Sequence, residues 1–433
     1  MGNSLRIGVA GLGVVGGGLL RLLERRRAAL EAKIGRPIIL AAVSARTRKD
    51  RGLPLGDAAH FNDPVKLAAE GDINLFVELV GGADGAAYEA VRAALRRKIP
   101  VVTANKAMLA AHGLALARLA ESNGVALAYE AAVAGGVPVI KTLRESLAGN
   151  DIRRVSGILN GTCNYILSRM ETERLPFEVC LAEAQKLGYA EADPTFDVGG
   201  FDTAHKLAIL ASLAFGVRID AGAVSVEGIQ SITLADLQAA EELGYRIKLL
   251  GVAERTALGV EQRVHPTMVP RAASLAQAMG VLNAVTIDAD AVGSLTLVGP
   301  GAGGDATASS VASDIVDVAL GLAPPVFGAP VDALAPSERV PMQAHEGGYY
   351  VRLDVVDRPG AMAMIATRMG ERAISIEAIS QKRGGRRDEG AKVVPVVIIT
   401  EATSEATIRA ALDGTLADGV VRGRPQLIRI ERE

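Results

Sequence analysis

Apolar residues in the first 130 positions form short runs that alternate with longer helical patterns. The runs at 5–10, 38–43 and 73–80 are almost entirely apolar, as expected for strands that are buried on both faces. From 14 to 32, apolar residues recur at helical spacing. The pattern then predicts a helix at 86–97, a strand at 101–103, a helix near 107–122 and a strand at 125–129. Such alternation predicts a doubly wound parallel sheet of the α/β class.

The pattern changes after residue 134. Strands are predicted at 152–160 and 225–233 and helices at 174–187 and 202–215, which indicates a mixed α+β domain reaching about residue 299. A glycine-rich turn at 299–304 then leads into a helix from Thr307 to Leu320.

A third unit follows a stretch rich in proline and glycine. Proline and glycine accumulate from Pro324 to Pro341, which is typical of a linker. From Tyr349 onward the predicted order is strand, helix, two strands, helix and strand. This βαββαβ order is the split-βαβ pattern.

Composition narrows the function classes. The chain has 433 residues with a net charge of −2, which gives no general attraction to nucleic acid or to anionic membranes. Two cysteines exclude a disulfide framework, and the five histidines form no zinc-binding pattern. No apolar run reaches the ~18 residues of a membrane helix, and no signal-peptide pattern precedes the first strand. We therefore expect a cytoplasmic protein.

A dinucleotide-binding fingerprint follows the first strand. Gly11, Gly13 and Gly16 form GxGxxG at the start of the first helix, where the main chain around Val14 and Val15 can meet a pyrophosphate. The alternative is a glycine-rich turn without a ligand, but the strand–turn–helix context favours dinucleotide binding.

The end of the second strand favours NADP over NAD. An acidic residue would bind the adenosine 2′-hydroxyl there, but residues 38–49 contain no carboxylate and the next one is Asp50. Arg46 and Arg48, with Lys49, suit a 2′-phosphate instead. NAD remains the alternative, in which these side chains are only solvated.

Residues 182–206 carry a more specific pattern, with fixed spacings among Gly188, Tyr189, Asp193, Asp202 and Lys206. Together with four further segments in the same order, this pattern resembles the homoserine dehydrogenase family. The four segments are Thr103–Lys106, Glu130–Pro138, Asn160–Tyr165 and the glycine turn at 299–304. One departure is Ala306, where the family usually has proline, which puts the rigidity of that turn in doubt.

The resemblance implies an activity and the residues that carry it. The activity would be the reversible NAD(P)H-dependent reduction of L-aspartate 4-semialdehyde to L-homoserine, on the way to threonine and methionine. Lys206 would exchange a proton with the C4 oxygen, and Lys106 would be a second catalytic lysine that also contacts the cofactor. Glu191 and Asp202 would bind substrate, and Gly188 and Gly303 would contact cofactor. From spacing alone, Asp202 and Lys206 are most often a surface salt bridge.

The resemblance also implies a cation site. Glu130, Val133, Gly135 and Val137 match the family's site for a monovalent cation, expected to be sodium with a structural role. From sequence alone this stretch is only the end of a strand followed by a turn.

Asp357-Arg358-Pro359-Gly360 lies at a strand–helix junction of the C-terminal unit, which resembles ACT domains. By that resemblance it would bind an amino-acid effector, L-threonine being the expected one. The alternative is a structural ACT domain without a ligand. We thus assign 1–134 and 300–330 to NAD(P) binding, 135–299 to catalysis and dimerisation, 331–348 to a linker and 349–433 to regulation. A homodimer or homotetramer is expected.

Two other functions compete. An ACT-tailed dehydrogenase acting on prephenate would leave the 182–206 pattern unexplained. A non-catalytic sensor of NADP and amino acids would need neither Lys106 nor Lys206.

Overall fold

The N-terminal part forms a six-stranded parallel sheet. The computed structural model describes residues 4–45, 52–381, 386–388 and 391–431. The six strands are β1 (Leu5–Ala10), β2 (Ile38–Ser44), β3 (Ala59–Phe61), β4 (Leu75–Glu78), β5 (Val101–Thr103) and β6 (Leu127–Ala128). Their order is β3-β2-β1-β4-β5-β6, and all pairs are parallel. The predicted doubly wound sheet is therefore confirmed.

Helices cover both faces of this sheet because its strands are apolar on both sides. They are α1 (Val14–Ile34), α2 (Pro64–Glu70), α3 (Ala86–Arg96) and α4 (Lys106–Asn123). A later helix, α12 (Gly304–Ala319), returns to this part of the chain. It places Val311 and Ile315 in the same buried cluster as Leu19 and Leu20 of α1.

The middle part has a mixed sheet with helices packed against it. Its strands are β7 (Ile152–Ile158), β8 (Ser225–Val226), β9 (Tyr245–Thr256), β10 (Gly259–Pro270), β11 (Leu282–Ala289) and β12 (Gly293–Pro300). Its helices are α5 (Val139–Lys141), α6 (Gly161–Glu173), α7 (Phe177–Lys186), α8 (Thr195–Val198), α9 (Phe201–Phe215), α10 (Leu234–Glu242) and α11 (Ser274–Gln277). The apolar helix α9 contacts β7, β9 and β10.

One predicted strand of this part is wrong over most of its length. The strand expected at 225–233 ends at Val226. Its continuation must turn because Thr233 caps α10 in a capping box with Asp236, whose carboxylate accepts from the Thr233 N–H at 2.9 Å. Ile229 and Ile232 are buried in the loop that results.

The C-terminal part confirms the βαββαβ order and adds two short strands. Its elements are β13 (Glu346–Val356), α13 (Ala361–Gly370), β14 (Ile376–Gln381), β15 (Arg386–Asp388), β16 (Ala391–Thr400), β17 (Thr403–Ser404), α14 (Glu405–Ala417) and β18 (Val421–Ile430). Helices α13 and α14 pack together over a core that includes Val351, Leu353 and Ile408.

The C-terminal sheet continues the middle sheet. Strand β18 pairs with β10 in parallel, at Thr267–Arg429 and Met268–Ile430. The segment expected to be a linker, 331–348, is packed against the body. Its residue Val340 is buried, and its main chain at Ala335 bonds to Gly216 and Arg218. The C-terminal part is therefore held against the rest of the chain rather than tethered loosely.

Within the described residues, none of the helices combines the length and the apolar character that a membrane crossing requires.

Candidate active site

A cavity of about 470 Å³ opens at the carboxyl edge of the parallel sheet, where open α/β sheets bind ligands. One wall is formed by Val14 at the start of α1 and by Lys106 at the start of α4. The opposite wall comes from the middle part. The remaining lining residues are Asn160, Gly161, Thr162, Leu187, Gly188, Tyr189, Asp197, Asp202, Lys206, Val281, Gly301, Ala302 and Gly303.

The two predicted catalytic lysines meet in this cavity at one buried carboxylate. Asp202 is 4% exposed, and its Oδ2 accepts from Lys206 Nζ at 2.8 Å. Its Oδ1 lies 3.2 Å from Lys106 Nζ. Lys106 is the first residue of α4 and Lys206 lies in the second turn of α9, so the site joins two parts of the chain. The i,i+4 pair that spacing alone would place on the surface is instead inside the cleft.

Neutral groups fix the same cluster. Lys206 Nζ also donates to the carbonyl oxygen of Leu159 at 2.7 Å. The Asn160 amide donates to Asp202 Oδ2 at 2.9 Å and to Asp197 Oδ1 at 2.8 Å, while its oxygen caps α6 by accepting from Cys163 N. Because each partner is held by a second bond, the lysine and the carboxylates have little freedom to rearrange.

The two carboxyl groups of the cluster, Asp202 and Asp197, have pKa values shifted in opposite directions. Burial alone would raise the pKa of Asp202, but Lys206 and Lys106 outweigh it and hold that pKa well below its usual range. At Asp197 burial dominates and raises the pKa above its usual value, although the Asn160 hydrogen bond opposes this. Asp202 therefore stays ionised between the two ammonium groups.

The glycine turn has the shape that a dinucleotide needs. Gly13 caps α1 with no side-chain hydrogen bond, and the first turn holds no acidic residue. An added Cβ at Gly13 would meet nothing, whereas one at Gly16 would collide with the Gly11 carbonyl oxygen. Gly11 has a φ of +99° in the tight turn. The free N–H groups of the helix start fit a pyrophosphate, so these residues suit the cofactor.

The other predicted cofactor residues are distributed unevenly. Val14 is 75% exposed and lines the cavity, as do Gly188 and Gly303. Val15 is half-buried and packs beside the core of the parallel sheet. Arg46 and Arg48 lie outside the described residues, so their predicted contact with a 2′-phosphate stays a prediction.

Glu191 is not brought into the cluster. It is exposed on the loop between α7 and α8 and does not line the cavity. Its main-chain oxygen accepts from Gln185 Nε2 at 3.0 Å. Asp197 on α8 occupies the cavity wall in its place.

The predicted cation residues surround a buried turn. Glu130 is 2% exposed, and its two carboxylate oxygens accept the N–H groups of Ile140 and Lys141 at 2.9 and 2.8 Å. Burial and the neighbouring Asp314 raise the pKa of Glu130 to about 7. Val133 and Val137 are buried, and the carbonyl oxygen of Gly135 accepts from Ser310. The Glu130 carboxylate and the carbonyl oxygens of Gly135 and Val137 all accept hydrogen bonds here, so a cation would be met by their remaining lone pairs.

The cavity-lining residues that sequence reasoning did not assign include Asn160, Thr162 and Asp197. The signal was available, because Asn160 and Thr162 belong to the Asn160–Tyr165 segment and Asp197 to the acidic stretch before α9. The neighbouring Cys163 is fully buried, and burial raises its pKa well above the usual value. No group of metal-ligating side chains occurs in the described part of the chain.

The C-terminal junction that was expected to bind an effector also forms a cavity. It measures about 250 Å³ and lies beside Asp357, Arg358 and Gly360, between β13 and α13. Gly360 caps α13 with a φ of +85°.

Comparison with known proteins agrees with this architecture. The chain matches the homoserine dehydrogenase family at 138–316, its NAD-binding domain at 11–130 and the ACT domain at 349–416. A homoserine dehydrogenase of Pseudomonas aeruginosa is 44% identical, with 99% of both chains covered. The crystal structure of a homoserine dehydrogenase from Thiobacillus denitrificans has a TM-score of 0.92 at 40% identity, covering 99% of this chain and 98% of that one.

A hyperthermophilic archaeal homoserine dehydrogenase in complex with NADPH is more distant. Its TM-score is 0.64 at 26% identity, covering 74% of this chain and 98% of that one. Because the relative from Pseudomonas aeruginosa matches along nearly the full length, the likeness extends through cofactor-binding, middle and C-terminal parts. The chain belongs to the homoserine dehydrogenase family of NAD(P)-dependent oxidoreductases.

Proposed function

We propose that the cavity at the edge of the parallel sheet is where L-aspartate 4-semialdehyde is reduced to L-homoserine. The observation that carries this proposal is the meeting of Lys106 and Lys206 at Asp202, beside the glycine turn. Two ammonium groups next to an aldehyde oxygen can stabilise the negative charge that grows there as the carbonyl is reduced.

The cofactor, when bound, supplies hydride to the aldehyde carbon. Lys206 is the proposed proton donor for the C4 oxygen, since its ammonium is fixed by Asp202 and Leu159 and is 12% exposed. In the reverse direction the same nitrogen, once neutral, would accept the proton of the homoserine hydroxyl. Lys106 is 35% exposed and is proposed to add charge and to position both ligands.

Asp202 and Glu191 are the proposed contacts for the substrate's ammonium group. Asp202 is ionised and lines the cavity, which supports its part directly. Glu191 is exposed, so its role requires the loop between α7 and α8 to close over bound substrate. That dependence makes Glu191→Gln a test of loop closure as well as of binding.

NADP is the proposed cofactor, with NAD as the alternative. The archaeal relative is described in complex with NADPH, and the absence of a carboxylate from residues 38–49 supports the same choice. We expect Arg46→Ala to weaken NADP more than NAD. Equal weakening of both cofactors would mean that Arg46 does not contact the 2′-phosphate.

A monovalent cation, sodium, is proposed at the turn formed by Glu130, Val133, Gly135 and Val137. The support is a buried turn whose main-chain oxygens suit a hard cation. Thermal unfolding in sodium, potassium and choline chlorides at equal ionic strength tests this. Identical midpoints in all three salts would reject the site.

L-threonine is proposed to bind the C-terminal domain in the cavity beside Gly360. The start of α13 follows Gly360 and has no acidic residue in its first turn, which suits a carboxylate at this helix N-terminus. We further propose the division into 1–134 with 300–330, 135–299, 331–348 and 349–433, and assembly as a homodimer or homotetramer. The shared core of α1 and α12 supports the first of these units, and light scattering after gel filtration tests the assembly.

Absorbance at 340 nm with L-homoserine and NADP⁺ at alkaline pH tests the proposed reaction. Cofactor reduction that depends on homoserine and disappears in Lys206→Met is the expected result. If neither NADP⁺ nor NAD⁺ is reduced by the folded chain, the proposed reaction is wrong. Cofactor binding without turnover would instead support a sensor.

A further inference from the structure

A cavity of about 560 Å³, distinct from the catalytic one, lies between the middle part and the ACT domain. Its floor on one side is the loop after β8, at Glu227, Gly228 and Gln230. Arg352 of β13, Arg409 of α14 and Arg424 of β18 enter from the ACT side. Three guanidinium groups thus face one cavity, each from a different element.

Two of these arginines, Arg352 and Arg409, use one edge of the guanidinium group for hydrogen bonds to carboxylates. Arg352 donates through Nε and Nη2 to the fully buried Asp236, at 2.7 and 3.2 Å. Arg409 uses its Nε for Glu405 at 2.8 Å and its Nη2 for Glu227 at 3.2 Å. The Nη1 group of each takes no part in these pairs. A guanidinium that is already fixed loses little conformational freedom when an anion binds.

The third arginine lacks such a partner. Arg424 is exposed, and in the described part of the chain it forms no ion pair within 4.0 Å. With Arg429, which pairs with Glu227 and Glu405, four guanidinium groups meet the three carboxylates of Glu227, Asp236 and Glu405. Asp354 adds a fourth carboxylate near Arg352, so this wider group is balanced in charge. The cavity lining itself has three arginines and one acidic residue, Glu227, and therefore an excess of positive charge.

We propose that this interdomain cavity binds a short organic dicarboxylate. One carboxylate can occupy only one guanidinium edge in the bidentate geometry that arginine prefers. Arg352, Arg409 and Arg424 come from three different elements of the ACT domain, so a ligand with two carboxylates on a short spacer can reach two of them at once. The effector cavity beside Gly360 is a separate space with different walls.

The same loop connects this cavity to the catalytic helix. The Ile229 N–H donates to the Val198 carbonyl oxygen at 2.9 Å, immediately before the Gly199-Gly200 turn that starts α9. A Cβ at Gly228 would collide with that same carbonyl oxygen, so the loop and the turn are in close contact. A ligand that displaces Glu227 would therefore shift this loop and the turn that leads to Asp202 and Lys206. Such a shift would couple ligand binding in this cavity to the catalytic site.

Calorimetric titration of the full chain with succinate at low ionic strength tests the site. We expect saturable binding that weakens about tenfold in Arg424→Gln, since that variant removes charge-assisted hydrogen bonds. Arg372→Gln, which removes an arginine of the same domain outside the cavity, should bind as the unmodified chain does. Butyrate, with one carboxylate, should bind more weakly than succinate.

Several results would overturn the proposal. No saturable succinate binding, or equal affinity in Arg424→Gln, would reject the cavity as a dicarboxylate site. Binding that is lost in Lys206→Met but kept in Arg424→Gln would place succinate in the catalytic cavity. Tighter binding of inorganic phosphate than of succinate would reject the dicarboxylate class.

Kinetics test the coupling separately. Succinate should change KM or kcat for homoserine oxidation, and this response should disappear in Arg424→Gln while basal activity remains. Binding with no kinetic response would retain the site and reject its coupling to α9. Because basal activity is measured without succinate, failure here leaves the proposed dehydrogenase reaction intact.

Discussion

Replacing Lys206 by methionine separates the proposed chemistry from folding. The substitution keeps an unbranched side chain but removes the ammonium group that bonds to Asp202 and Leu159. Asp202 keeps Lys106 at 3.2 Å and Asn160 at 2.9 Å, so its charge remains partly compensated. The protein should therefore fold, with a loss of stability.

The substitution is expected to affect turnover more than stability. Loss of two charge-assisted hydrogen bonds in a nearly buried position should lower the free energy of unfolding by about 1–3 kcal/mol. A positioned proton donor contributes roughly 10²–10⁴ in rate, and a charged group at the developing oxyanion adds to that. We expect kcat to fall by at least ~10³, which corresponds to about 4 kcal/mol of transition-state stabilisation. Affinity for the cofactor should change little.

The assay is homoserine-dependent reduction of NADP⁺ at 340 nm, together with denaturant unfolding of each variant. Lys206→Arg keeps the charge and its two acceptors but holds its proton too tightly for transfer, so stability should recover while turnover stays low. Lys248→Met, which removes an ammonium buried outside the cavity, should leave kcat largely unchanged. Near-normal turnover in Lys206→Met, or equal losses of turnover in all three variants, would refute the assigned role.

Other variants test separate features. Burial lowers the pKa of Lys248 to about 8, so the folded chain releases this proton at a lower pH than the unfolded chain does. The free energy of unfolding should therefore rise by about 2 kcal/mol between pH 8 and 9.5. This rise should be absent in Lys248→Met, and an identical rise in both proteins would exclude Lys248 as its source. Gly13→Ala should fold normally but raise KM for NADP, because its Cβ would occupy open space at the helix start. Gly16→Ala should instead lose stability, because its Cβ would collide with the Gly11 carbonyl oxygen. Equal unfolding midpoints for the two variants would contradict this difference. Glu191→Gln should raise KM for homoserine with kcat retained if the loop between α7 and α8 closes, and an unchanged KM would remove Glu191 from the substrate site.

Local sequence determined much of the architecture. The parallel sheet was predictable because its strands are short apolar runs and its helices repeat at 3.6 residues, and neither pattern depends on distant contacts. The glycine fingerprint is partly local: Gly16 is required by the Gly11 carbonyl oxygen five residues earlier, and the φ of +99° at Gly11 favours glycine there. Gly11 is also required by a distant contact, because a Cβ there would collide with the main chain of Leu79. The βαββαβ unit followed from the same periodicities.

Only the tertiary structure decided how distant segments pair. Nothing near Lys106 in the chain indicates that its ammonium will share Asp202 with Lys206, because that contact depends on how α4 and α9 pack. The strand expected at 225–233 ends at Val226, and Thr233 caps helix α10 instead. Lys248 is buried with Asn164 and the Ala278 carbonyl oxygen as partners, and both lie far from it along the chain. The sequence by itself determined which segments are helices and strands and where a nucleotide phosphate can bind, because these features depend mainly on neighbours along the chain. The pairing of charges across domains depends on burial, which only the folded chain sets.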